Sequence, residues 1–273
     1  MKYKVICSDL DGTLLNSSSE LSEENSEAIE KITEKGYLFV PTTGRTLAEI
    51  PPAVRNHKSI RYIIYSNGAG IYDKLCDKHY ETLVSGGTID KMLAVLEDYD
   101  LLYLLHKDGF MYLDKDGYVK AEKYRVLPAY LKLFSFIPDE YRIGNFMDYL
   151  HSVKEMEMLV VFFGRGEDIE AECRARLEKI PGLFVTASAD GNIEIINENA
   201  NKGNAIRLLS RITGISTDDF ITAGDSYNDV EMLELAGLSL AVSGAKAETK
   251  ATADKVICSN DEHIAKYILE NII

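Results

Sequence analysis

The chain has no tryptophan, six prolines and four cysteines in 273 residues. Cys7, Cys76, Cys173 and Cys258 are widely scattered and form no CxxC pair, which speaks against a zinc site and against a disulfide framework. Three of them sit in or beside apolar segments and read as small core residues, in keeping with a reducing cytoplasm. Long apolar runs are missing too. The longest clean ones, such as Met158-Leu159-Val160-Val161-Phe162-Phe163, are of strand length, well short of the roughly 18 residues of a membrane span. The N-terminus enters an apolar strand almost at once, and no signal peptide is read there. Positive charge is in deficit: 30 Lys plus Arg stand against 44 Asp plus Glu, a formal charge of −14. That balance opposes non-specific nucleic-acid binding and gives no attraction to anionic membranes. No internal repeat or low-complexity segment is evident.

What is present supports a sizeable core, with 46% hydrophobic residues in a chain long enough for one large domain or two ordinary ones. Strand-like and helix-like segments alternate at the N-terminus. Residues 3–8, 37–41 and 61–66 read as strands, and residues 22–35 as a helix with acidic residues early and Gly36 as its stop. The C-terminal part repeats the pattern, with strands at 220–223, 238–242 and 256–258. Helices are expected there at 202–213, 228–236, 245–251 and 263–272. Repeated βα units predict an α/β fold, a parallel sheet with helices on both faces. The middle differs. Strands at 101–106, 110–113 and 118–121 are separated by Asp108-Gly109 and Asp116-Gly117, dipeptides that favour tight hairpins. Helices at 88–99 and 167–180 and strands at 158–163 and 183–188 complete an α+β module inserted into the parallel one. The division expected is 1–84 with 189–273 for the core, and 85–188 for the insert. Gly86-Gly87 is a plausible flexible link into the insert, and residues 187–191 the way out.

Chemistry concentrates where the predicted core strands end. Asp9 and Asp11 leave the first strand one residue apart, just before Gly12. Carboxylates that close repel unless a cation or proton lies between them, and open α/β sheets place ligands just beyond such strand ends. The pair suits an oxygen-ligated Mg²⁺ with one carboxylate left to attack phosphorus. Thr43-Gly44 offers a hydroxyl and a bare backbone to an anion, and Lys202-Gly203 opens a helix whose amides add to the lysine's charge. Gly224-Asp225-Ser226-Tyr227-Asn228-Asp229 follows another apolar strand. A phosphate dianion and a carboxylate nucleophile repel by about 4 kcal/mol per charge pair at 4 Å and a dielectric of 20. Mg²⁺ between Asp9 and Asp225, with Lys202, would supply three positive charges against that repulsion. Each piece has an ordinary reading on its own. Asp9-Asp11 could be a surface turn, Lys202 a solvated lysine and Thr43 a helix cap. Asp225 and Asp229 could lie on an exposed helix face, and Asn67 could belong to a plain Asn-Gly turn. The joint order, each after an apolar strand, favours a site.

With these motifs the chain resembles the haloacid dehalogenase-like phosphohydrolases, and within them the Cof-type phosphatases, which carry a large α/β cap between their second and third motifs. The matching residues are Asp9-Leu10-Asp11-Gly12-Thr13-Leu14, Thr42-Thr43-Gly44-Arg45, Ser66-Asn67-Gly68-Ala69, Lys202-Gly203 and the 224–229 segment. The resemblance implies a Rossmann-like core and an Mg²⁺-dependent phosphatase of small phosphorylated metabolites, such as sugar phosphates. Asp9 would attack phosphorus to form an aspartyl-phosphate, and Asp11 would protonate the leaving alcohol and then activate water. Mg²⁺ would bind the Asp9 carboxylate, the Asp11 carbonyl and Asp225. The Leu10 and Gly44 amides, Thr43, Lys202 and Asn228 would hold the phosphate. Asp229 would orient the metal shell or Lys202, with Asn67 and Arg45 in support. A phosphomutase would use the same residues, and a non-catalytic phospholigand sensor is a third reading that the intact acidic set disfavours. Two departures touch nearby loops: Gly244-Ala245 stands where Asn-Ala is frequent, and the segment Asn260-Asp261-Glu262-His263-Ile264 lacks a glycine. His263 reads as a helix-start residue. In the insert, Tyr103, His106, Lys107 and Tyr112 are candidates for facing substrate, with a structural role the more ordinary expectation for each.

Overall fold

Val5–Ser8 is a four-residue strand buried at every position, the pattern of a parallel strand covered on both faces. The computed structural model describes residues 3–124, 126, 128–164, 167–186 and 191–273. The chain divides into two units, one made of Met1–Glu81 with Ala200–Ile273 and the other of Thr82–Asn199.

In the first unit Val5–Ser8 lies between Phe220–Gly224 and Leu38–Pro41, with Leu238–Ala241 and Lys255–Val256 beyond, all parallel. Side chains alternate across this sheet. Ile6, Phe39, Ile221 and Leu240 join a core closed by Ile29 of helix Glu23–Glu34 and Ile268 of helix Ile264–Asn271. Val5, Cys7, Val40 and Phe220 face the other way, onto Ile206 and Leu209 of helix Lys202–Thr213 and onto Met232. Local chemistry sets the helix ends. Ser22 accepts from the Asn25 amide and Asn201 from the Asn204 amide, while Gly36 and Gly214 turn the chain out with positive φ. His263 stands immediately before the last helix, as expected of a helix-start residue. The strand Tyr62–Tyr65 touches the parallel sheet through a bridge between Ile64 and Thr42. It then heads an antiparallel meander with Gly70–Asp73 and Lys78–Glu81, two strands the sequence reading lacks.

The second unit is a six-stranded sheet ordered Leu183–Thr186, Asn192–Asn197, Met158–Phe163, Leu101–Lys107, Phe110–Asp114 and Arg142–Ile143. Only the last pairing is parallel. Tyr103, Leu105, Leu159, Val161, Ile193 and Ile195 form one apolar face under the helices Gly87–Leu96, Phe146–Ser152 and Glu167–Leu177. Asp108-Gly109 makes the expected hairpin with positive φ at both residues. Asp116-Gly117 does not. Asp116 keeps φ at −93°, its amide bonds to the Asp114 carboxylate, and the Lys120 amide bonds back to the Asp116 carbonyl. Gly117–Lys120 is therefore a helical turn, not the strand expected at 118–121. The return to the first unit falls after Asn199 rather than at 188/189, because residues 192–196 pair with residues 158–162 in the second unit's sheet. Residues 187–190 of the expected link lie outside the described residues. Among the four insert candidates, Tyr103 is buried against Phe146, and Tyr112 packs on the rings of Tyr141 and Tyr149. His106 is buried, and Lys107 pairs with its neighbour Asp108.

Candidate active site

The site begins with a lysine that has no exposed side-chain surface. Lys202 opens its helix and points its ammonium between two carboxylates, Asp9 Oδ1 at 2.7 Å and Asp229 Oδ1 at 2.6 Å. Asp9 follows the strand Val5–Ser8, its amide donating to the Ala223 carbonyl at 2.9 Å across the sheet. Asp229 uses its second oxygen to accept from the Asp225 and Ser226 amides at 2.9 and 3.0 Å. It therefore both holds Lys202 and ties the 225–229 turn. Gly224 has to be glycine here, since a Cβ would lie 2.6 Å from the Asp229 side chain.

The charge in this cluster is unbalanced. Among the described residues, carboxylate oxygens of Asp9, Asp225 and Asp229 come within 4.8 Å of one another. Burial pushes the Asp9 carboxyl well above the usual carboxylate range. Lys202 opposes that shift, and the charges of Asp229 and Asp225 add to it. Asp225 is also raised, by burial and then by Asp229. On Lys202 burial works against the charged form, but Asp229 and Asp9 outweigh it and raise the ammonium above its ordinary value. Three carboxylates sharing one ammonium leave an excess of negative charge. Asp229 spends both oxygens on Lys202 and the turn, so Asp9 and Asp225 are the pair with capacity for a further cation. Their oxygen chemistry fits a hard divalent ion. Gly12, at φ +79°, lets the chain pass beneath Asp225, where a Cβ would sit 2.7 Å from Oδ2. Thr13, which sequence reasoning passed over, is buried and donates its hydroxyl to Asp225 Oδ1 at 3.3 Å. Its position inside the first motif is the signal that could have found it.

A second grouping lies on the Thr43 and Asn67 loops. Thr43 is buried, and its hydroxyl accepts from the Arg45 amide at 3.1 Å; it caps no helix, since the cap of the following turn Leu47–Glu49 is Thr46. Gly44 runs against Asn67, where a Cβ would meet Oδ1 at 2.9 Å. Asn67 Oδ1 in turn accepts from the Asn228 side chain, Nδ2, at 2.9 Å. Ser66, Asn67 and Gly68 all adopt positive φ, and Gly68 presses on the Asn201 carbonyl beside Lys202. Leu10 is fully buried. Asp11 does not join the Lys202 cluster through any hydrogen bond. It is exposed and bound to Arg45, whose Nε and Nη2 donate to its two oxygens at 2.7 and 2.5 Å.

A parallel sheet with a buried, lysine-clamped acidic cluster just beyond its strand ends, in a chain that also carries a separate α+β unit, has the makings of a phosphohydrolase. The family model of haloacid dehalogenase-like hydrolases matches residues 6–268, and the chain belongs to that family, as one of its Cof-type phosphatases. It is similar to the phosphatase YwpJ of Bacillus subtilis (strain 168), 28% identical over 99% of this chain and 100% of that protein. The 5-amino-6-(5-phospho-D-ribitylamino)uracil phosphatase YwtE of the same organism is 29% identical over 99% and 98%. A haloacid dehalogenase-like hydrolase structure from Bacteroides thetaiotaomicron superposes with a TM-score of 0.79 at 25% identity, covering 100% of both chains. The protein is accordingly an enzyme that hydrolyses phosphoric monoesters. Among the described residues, no helix is long and apolar enough to cross a membrane.

Proposed function

We propose that the enzyme is an Mg²⁺-dependent phosphatase of small phosphorylated metabolites, sugar phosphates foremost, and that it works through an aspartyl-phosphate on Asp9. The observation that carries this reading is the buried Lys202, held between Asp9 and Asp229 with Asp225 in reach. Asp9, the Asp11 carbonyl and Asp225 would hold the ion. Bound there, Mg²⁺ supplies two positive charges against the repulsion between nucleophile and phosphate. Lys202, Thr43, Asn228 and the Leu10 and Gly44 amides hold the phosphoryl oxygens, with Asn67 setting Asn228 and Asp229 setting Lys202. An Asp9 oxygen forms the new bond to phosphorus. The ester P–O bond breaks, its electron pair stays on the leaving oxygen, and that oxygen takes a proton from the Asp11 carboxyl. Water then attacks phosphorus, gives a proton to Asp11, and the bond between Asp9 and phosphorus breaks. A relative named for a phosphorylated ribityl compound supports a sugar or sugar-alcohol phosphate as the substrate class.

The test is phosphate release from a panel of phosphorylated sugars, nucleotides and cofactors, with Mg²⁺ and with EDTA. Wild type should turn over at least one sugar phosphate, stop with EDTA and recover with Mg²⁺. Asp9→Asn should fall by at least roughly 10³-fold while keeping its fold, because an amide is a poor nucleophile. Normal turnover by Asp9→Asn, or in metal-free buffer, would reject the mechanism. Isomerisation without phosphate release would move the enzyme to the mutases.

A further inference from the structure

Arg45 comes from a different loop than Asp11, yet it fixes that carboxylate at both oxygens. Its third arm is anchored, with Nη1 donating to the Glu49 carbonyl at 3.1 Å. Glu49 is tied back in turn, its Oε2 accepting from the Thr46 amide and hydroxyl at 2.8 Å each. The Arg45 backbone is held as well: its amide donates to Thr43 Oγ1, and its carbonyl accepts from Ser66 at 2.8 Å. The guanidinium is thus braced by the loop that carries Thr43 and Gly44. Asp11 is the opposite case. About half of its side chain is exposed (49%), and Arg45 is its one recorded side-chain partner among the described residues. A half-exposed aspartate on a loop samples several rotamers, whereas a planar fork gripping both oxygens selects one.

We infer that Arg45 is a positioning residue for proton transfer: its braced guanidinium aims the Asp11 carboxyl at the oxygen that leaves phosphorus. This rests on the reading of Asp11 as the acid. The competing use of that guanidinium is to bind the substrate phosphate directly, and the two uses part on the leaving group. A nitrophenolate leaves without a proton; an alkoxide needs one. A misplaced Asp11 therefore slows alkyl esters and spares aryl esters, while a lost phosphate contact weakens both.

The experiment is rapid-quench measurement of the first turnover, the cleavage of the ester bond, with p-nitrophenyl phosphate and glycerol 3-phosphate at saturating Mg²⁺. For Asp11→Asn the nitrophenolate burst should slow by less than about fivefold, and alkyl cleavage by at least about thirtyfold. Arg45→Ala should show the same split, with KM for each ester within about twofold of wild type. Arg45→Lys keeps the charge without the fork and should follow Arg45→Ala rather than wild type. Arg45→Ala with Asp11→Asn should be no slower on the alkyl ester than Asp11→Asn alone. If Asp11→Asn splits the esters and the two Arg45 variants slow both equally, or raise KM for both, Arg45 does not position Asp11. If Asp11→Asn itself shows no split, the acid assignment falls and takes the inference with it.

Discussion

Lys202 and Arg61 are both cations paired with buried aspartates in the same unit, and they do opposite things. Lys202 has no exposed side-chain surface and is shared by Asp9 and Asp229, with Asp225 beside them. Arg61 is 40% exposed and has Asp73 to itself, through Nε at 3.0 Å and Nη2 at 2.9 Å. The Leu75 amide also donates to the Asp73 carboxylate. The Arg61 pair is neutral, so it leaves no surplus charge for an ion. The Lys202 cluster has more carboxylates than cations, and Asp9 and Asp225 are pushed up rather than down. Surplus buried negative charge has to be relieved by a cation or a proton, which is why it marks a candidate site and the balanced pair does not.

The sharpest way to break the comparison is to remove the shared cation. Lys202→Met should lower stability by about 3–5 kcal/mol in EDTA, because two buried carboxylates lose their shared partner. Urea unfolding of the metal-free proteins measures it, and a loss under about 1 kcal/mol would mean the carboxylates are better solvated than the packing around Lys202 indicates. Activity should vanish in the same variant.

Gly12 tests whether the surplus charge is aimed at a cation. Gly12→Ala forces a side chain into φ +79° and sets a Cβ against Asp225 Oδ2. The strain alone costs about 1–2 kcal/mol. If Asp225 holds the ion, the Mg²⁺ concentration for half-maximal activity should rise at least roughly fivefold, read from a metal titration of turnover. An unchanged titration curve with a lowered unfolding midpoint would confine Gly12 to a structural role.

The two units also differ in how much of each was legible. The core was readable because its strands are short, apolar and each followed by residues with few other reasons to be there. Asp9, Lys202, Asp225 and Asp229 were all singled out from such positions, and the structure brings their side chains together. Legibility failed where a residue works through a neighbour from another loop. The Thr13 bond to Asp225 and the Arg45 fork on Asp11 join different loops, and although the motifs contain both residues, no local pattern reports which partner each takes. In the second unit the signals were ambiguous. Asp116-Gly117 looks like Asp108-Gly109 on paper, and only the Asp114 side chain, by capturing the Asp116 amide, turns it into a helix start. Asn192–Asn197 alternates like a strand, but which sheet it joins is decided by pairing with Met158–Phe163, a long-range choice.

The smallest expected effect belongs to the balanced pair, and pH makes it separable. Arg61 holds the Asp73 carboxyl below the usual carboxylate range, against an opposing push from burial. A carboxyl depressed in the folded state is the deprotonated partner of a stabilising contact. Its contribution is present above the unfolded-state value, near 3.9, and is lost as pH falls through the lower folded-state value. Arg61 is well exposed, so solvent screening limits the pair to roughly 1 kcal/mol. Asp73→Asn should therefore cost about that much at pH 7, keep the same deficit down to about pH 4, and approach wild type below it. Turnover at pH 7 should stay unchanged, because Asp73 sits in the meander and bonds only within it. Denaturant midpoints for both proteins between pH 3 and 7 give the gap directly. A deficit that persisted unchanged at pH 3 would show that shape and amide bonding at Asp73, not its charge, hold the hairpin, and the contrast with Lys202 would then rest on burial alone.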